Sequence, residues 1–155
     1  MNYTAITTCD ICNGEDLGVV LWVSGCDVKC PGCHNKETWD PEAGKPFTEA
    51  TLKLILTELE RPELTRLTLS GGHPLMPCNR SAITDLILEV RYKFKDKIKI
   101  WLYTGYNYDE LDPNAKLIAD MCDYVVDGPY MEQFRNLSLQ YRGSSNQRII
   151  KIKNT

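Results

Sequence analysis

An open, parallel α/β sheet in a single domain, an incomplete barrel of the TIM type, is the fold this sequence predicts. Three observations carry it. Short runs rich in β-branched, aliphatic and aromatic residues begin near residues 18, 66, 98 and 123. The connections between them are long enough for crossover helices, the signature of βα units in a parallel sheet. The chain of 155 residues suits one domain but falls short of the about 250 typical of a closed eight-stranded barrel. One domain over residues 1–155 with an open sheet is therefore expected.

The first predicted strand is Gly18 to Val23, apolar throughout and bounded by glycines. A helix is expected to follow Thr48, a good N-cap residue, with Glu49 in its first turn and Phe47 placed to staple onto Leu52. Leu52, Ile55, Leu56 and Leu59 keep helical spacing, and Pro62 stops the run. Arg66 to Ser70 is the second strand and runs into Gly71-Gly72-His73-Pro74. Asn79 or Ser81 caps a helix whose apolar face is Ile83, Leu86, Ile87, Val90 and Phe94. Ile98 to Tyr103 is the third strand, Asn114 to Met121 a shorter helix after Pro113, and Asp123 to Asp127 the fourth strand. Gln147 to Lys153 alternates polar and apolar residues, as an edge strand does.

Composition narrows the function. A net charge of −3 offers no basic patch for nucleic acid or an anionic membrane. The uncharged stretch around the first strand, Leu17 to Cys26, is far shorter than the roughly 20 residues of a membrane span. The start of the chain lacks the basic and apolar regions of a signal peptide. Seven cysteines, three of them in one tight cluster, read as metal or redox chemistry in a reducing cytoplasm and not as a disulfide framework.

Cys26, Cys30 and Cys33 are spaced C-x3-C-x2-C directly after the first strand, where α/β proteins place their chemistry. Three thiolates are one too few to saturate a cubane [4Fe–4S] cluster, and one iron is left for something that reacts. Zinc is the competing reading, with a fourth ligand from His34, Cys9 or Cys12. Cys9 and Cys12 form a C-x2-C pair that reads as two small incidental thiols, as a redox dithiol or as half of such a site. Trp101 and Tyr103 read first as strand packing, and Cys78 and Cys122 as structural or incidental thiols.

Taken together, Cys26/Cys30/Cys33, His34-Asn35 with Thr38-Trp39, Gly71-Gly72, Trp101 to Tyr106, Asp127-Gly128 and Arg142 to Gln147 resemble the radical S-adenosylmethionine enzymes. Within them the chain is similar to the glycyl-radical activases, over about Gly18 to Ile149. The resemblance implies a [4Fe–4S] cluster held by Cys26, Cys30 and Cys33, with S-adenosylmethionine on the fourth iron. The activity implied is reductive cleavage to a 5′-deoxyadenosyl radical, which takes a hydrogen from a glycine of a protein partner. That partner would be the large subunit of an anaerobic ribonucleoside-triphosphate reductase, with a flavodoxin-like or other low-potential protein as electron donor.

Cofactor contacts are implied for Gly71, Gly72, His73, His34, Thr104 and Asp127. Two positions depart from the pattern. His73 stands where an acid is usual. The loss of a charged hydrogen bond there is worth at most about tenfold to thirtyfold in affinity. Gly32 stands where the commonest cysteine motif has an aromatic residue, so its contact falls to backbone or to His34.

Overall fold

A computed structural model describes residues 1–152. It contains one mixed sheet of seven strands in the order β3-β1-β2-β4-β5-β6-β7, with three helices. The strands are β1 (Asn2–Asp10), β2 (Gly18–Val23), β3 (Lys45–Pro46), β4 (Arg66–Gly71), β5 (Lys99–Tyr103), β6 (Tyr124–Asp127) and β7 (Arg148–Lys151). The helices are α1 (Glu49–Glu58), α2 (Arg80–Phe94) and α3 (Pro113–Asp120).

The four expected strands form the centre: β2, β4, β5 and β6 pair in parallel, with Leu21 opposite Leu69 and Leu67 opposite Ile100. The flanks are antiparallel, which corrects the all-parallel expectation. β1 pairs with β2 and β3 with β1 on one side, and β7 pairs with β6 on the other. β1 gives no core-facing alternation because most of its residues are half or fully exposed. The expected edge strand is β7; its Lys153 end lies outside the described residues.

Period-two alternation sorts the central strands into two faces. Val19, Leu21, Val23, Leu67, Leu69, Ile100, Leu102 and Val125 point into the core with Ile55, Ile83, Leu86, Ile87, Val90, Ala115 and Ile118 of the helices. Burying each large aliphatic side chain is worth about 1.5–3 kcal/mol, so this helix-covered face supplies most of the cohesion. The intervening residues on the opposite face include Arg66, Thr68, Ser70, Trp22, Trp101 and Tyr103, a polar and aromatic lining.

The caps follow their chemistry. Thr48 accepts from the Thr51 amide, and in the return bond of the capping box the Thr48 amide donates to the Thr51 hydroxyl oxygen. Asp112 caps α3, with Pro113 in the first turn, where no amide is needed. Asn79 flanks α2 without capping it. Its side-chain amide instead donates to the carbonyls of Ser24 and His73, tying the helix start to the segments that leave β2 and β4. No helix among the described residues is long and apolar enough to cross a membrane.

Candidate iron–sulfur site

The cysteine loop leaves β2 and is held by backbone on both sides. The Gly25 and Cys26 amides donate to Thr38 and Trp39, and the His73 amide donates to the Gly25 carbonyl at 2.7 Å. Gly72 donates to Val23. Both glycines of the second strand end are required by this approach: a Cβ at Gly71 would lie 2.5 Å from the Val23 amide nitrogen, and one at Gly72 2.5 Å from the Gly25 carbonyl oxygen. Close backbone packing therefore demands the Gly-Gly turn, independently of any cofactor.

Cys26, Cys30 and Cys33 line one cavity of about 160 Å³ at the carboxyl ends of the parallel strands, together with Gly71, Gly72, His73, Thr104, Gly105, Gly128 and the rings of Trp39 and Tyr130. A second cavity of about 400 Å³ adjoins it and reaches across the polar sheet face to Cys12 and Asn13. Cys33, Asn35, Ser70, Tyr103, Tyr130 and Gln147 border both, so the two form one recess.

The sulfurs feel one another. Burial pushes the Cys30 thiol up, the sulfurs of Cys26 and Cys33 push it the same way, and the Tyr130 backbone pulls against them. The Asn35 amide donates to Cys33 Sγ at 3.3 Å. Three thiols that border one mouth give up their protons when a cationic centre takes the sulfurs as ligands. The residues present fit such a group: the donors are soft sulfurs, backbone amides point at two of them, and Trp39 and Tyr130, which border the same cavity, carry buried polar atoms, Nε1 and Oη, that find no hydrogen-bond partner among the described residues. Among those residues no three His, Cys, Asp or Glu side chains gather as the ligands of a single ion. A closed zinc site with Cys9, Cys12 or His34 is thus not assembled, whereas in a cubane each thiolate takes its own iron.

The remaining expected contacts divide. Thr104 borders the cavity, but its hydroxyl is engaged by His73 Nε2 at 2.8 Å and by the Tyr106 amide at 3.1 Å. His73 also borders it and is 1% exposed. His34 is exposed, borders the second cavity and leans on Tyr130 with ring centroids 5.5 Å apart. Asp127 borders neither; its carboxylate accepts from the Tyr108 amide and from Arg148, so it braces β6 against β7. Trp101 stacks on Tyr124 as strand packing, while Tyr103 turns to the recess.

Sequence reasoning assigned no role to Tyr130, Trp39 or Gln147. Gln147 accepts from the Gly143 and Ser144 amides and donates to the Gly128 carbonyl, docking the Arg142 to Gln147 segment onto the end of β6. Trp39 and Gln147 lay inside quoted motifs; Tyr130 follows Pro129 in an irregular stretch with no pattern to mark it.

Parallel strand ends bring three cysteines and two strand-end glycines to one recess, a donor set of the class that suits an iron–sulfur protein. A family model described as a 4Fe-4S single cluster domain matches residues 12–150. Three similar proteins bear the name anaerobic ribonucleoside-triphosphate reductase-activating protein. That of Escherichia coli (strain K12) is 40% identical over 149 residues, 95% of this chain and 96% of its own. The protein of Enterobacteria phage T4 is also 40% identical, over 96% of this chain and 93% of its own, and that of Haemophilus influenzae is 37% identical over 99% of each. The chain belongs to the family of these activating proteins, within the 4Fe-4S single cluster domain class.

Proposed function

We propose that this chain is the activating enzyme of an anaerobic ribonucleoside-triphosphate reductase, a radical S-adenosylmethionine enzyme whose residues 1–155 act as one activase domain. The observation that carries this is the convergence of Cys26, Cys30 and Cys33 with the Gly71-Gly72 turn on one cavity. When bound, the [4Fe–4S] cluster and S-adenosylmethionine supply one-electron cleavage to a 5′-deoxyadenosyl radical, which takes a hydrogen from a glycine of the reductase.

The chain's own residues bind, orient and shield. Cys26, Cys30 and Cys33 hold the cluster. Amides at Asn35 and Tyr130 temper the charge on two of the sulfurs, a lever on cluster potential. Gly71, Gly72 and the neighbouring strand ends form the floor for the methionyl part. Trp39 and Tyr130 wall the cavity, Thr104 and His34 border the recess, and Asp127 acts from behind through β6. The second cavity, open along the polar sheet face, is the approach for the glycine-bearing segment of the reductase. This face belongs to an incomplete barrel, left open to admit a protein substrate. The reading includes a low-potential, flavodoxin-like donor, a cytoplasmic setting and no nucleic-acid partner.

Anaerobic reconstitution tests it. The protein is expected to take up about four irons per chain, turn brown, and, once reduced and mixed with S-adenosylmethionine and the reductase, raise a glycyl-radical signal. Alanine at Cys26, Cys30 or Cys33 should abolish both iron uptake and signal, while alanine at Cys9 or Cys12 should leave them intact. A colourless protein with one tightly held zinc would refute the assignment.

A further inference from the structure

His73 was expected to touch the cofactor, yet both of its ring nitrogens are already taken. Nδ1 lies 2.7 Å from Asp27 Oδ1 and Nε2 lies 2.8 Å from Thr104 Oγ. A carboxylate only accepts, so Nδ1 carries the proton and Nε2 accepts from the Thr104 hydroxyl. Tyr106 packs edge-on against the imidazole at 4.1 Å between centroids, and its hydroxyl donates to the other carboxylate oxygen, Asp27 Oδ2. Asp27 is the residue between Cys26 and Val28, inside the cysteine loop.

The loop needs such a tie. Among the described residues, the one backbone hydrogen bond involving positions 27 to 32 is internal, Cys33 to Cys30. Side chains must therefore fix the loop between its ends. Asp27 is bonded to a residue at the end of β4 and to another just past β5, and that fixes two strand ends and the loop in one network.

We propose that His73 is a positioning residue that, through Asp27, clamps the cysteine loop to the ends of β4 and β5, and that it does not contact S-adenosylmethionine through its ring nitrogens. The proposal rests on the reading of Cys26, Cys30 and Cys33 as cluster ligands. It moves the acid that matters at this site from the Gly-Gly turn to the loop itself. Removing either partner leaves the other with an unmet hydrogen bond and frees the loop, so the two residues act as a unit and their effects do not add.

The test is a double-mutant cycle on the full chain with Asp27→Ala and His73→Phe, which keeps a ring of similar shape and removes its nitrogens. In the cluster-free protein, alkylation of Cys26 and Cys30, followed by mass spectrometry, should speed up about three- to tenfold in each single variant and no further in the double. In the loaded protein, the response of the reduced cluster's electron paramagnetic resonance signal to S-adenosylmethionine should require the same several-fold higher cofactor concentration in all three. Tyr106→Phe, which removes only one donor to Asp27, should show a smaller change in the same direction; it decides the matter if His73→Phe does not fold.

Losses that multiply in the double variant would overturn the clamp. So would a His73→Phe protein with unchanged thiol reactivity but a weakened response to S-adenosylmethionine, because His73 would then be a direct ligand. A wild-type cluster indifferent to S-adenosylmethionine would instead refute the functional reading, and the thiol rates would still decide the clamp.

Discussion

A methyl group at residue 72 has nowhere to go. Its Cβ would meet the carbonyl oxygens of Gly25 at 2.5 Å and Thr38 at 2.8 Å, both backbone atoms that no rotamer change can move. Gly72→Ala should therefore cost about 1–3 kcal/mol in chemical denaturation of the cluster-free chain, the range for overpacking. It should also lower iron uptake, because the displaced segment is the one that leads into Cys26. Equal stability of variant and wild type would show that the loop yields at little cost. The same scale explains His73. Burial favours the neutral imidazole and holds it below its ordinary value, against the pull of Asp27. Burial works to raise Asp27 too, yet its bonds from Tyr106 and His73 outweigh that and keep it a carboxylate.

The connection between β1 and β2 carries no regular structure, and a single side chain organises it. Arg66 is fully buried on β4, and its guanidinium donates to the carbonyls of Asp10, Asn13, Glu15 and Asp16, to Asp10 Oδ1 and to the Thr68 hydroxyl. This connection lines the far end of the second cavity with Cys12 and Asn13, so Arg66 shapes the approach to the site from a distance. Burial works to raise Asp10, but the bonds from Arg66 and Asn13 more than offset it and hold the carboxyl below its ordinary value. A carboxyl depressed in the folded state adds stability above its unfolded value, near 4, and loses it as pH falls through the folded value. Asp10→Asn should flatten that acid limb: between about pH 5 and pH 3 its unfolding midpoint should drop less than that of wild type. Parallel losses in the two proteins would exclude the pair as a source of acid sensitivity.

At the scale of the whole molecule, stability and chemistry lie on opposite faces of the sheet. Leu69, fully buried in the helix-covered core, alternates with Ser70, which borders both cavities. Leu69→Ala should cost about 2–5 kcal/mol by denaturant unfolding yet leave iron loading per folded chain unchanged. Loss of loading in step with stability would show that the two faces are coupled more tightly than the division implies.

Local chemistry was enough to read the central strands, the three helices and the cysteine loop from sequence. Leu67 and Leu69 alternate, Ile83, Leu86, Ile87 and Val90 keep helical spacing, and thiols at short spacing declare a metal without help from distant residues. β1 escaped because a strand half open to solvent has no apolar face to show. The antiparallel flanks escaped because strand direction is set by pairing across the sheet. That Cys26, Cys30 and Cys33 follow one strand as candidate donors was thus determined by the sequence alone. Which expected contacts reach the recess was decided by tertiary structure: it commits Asp127 to Arg148, brings Tyr130 in from an unpatterned stretch, and sets His73 against Asp27, 46 residues away. The physical reason is that a hydrogen bond is satisfied by whatever the fold brings within 3 Å or so, and no spacing along the chain reveals that partner.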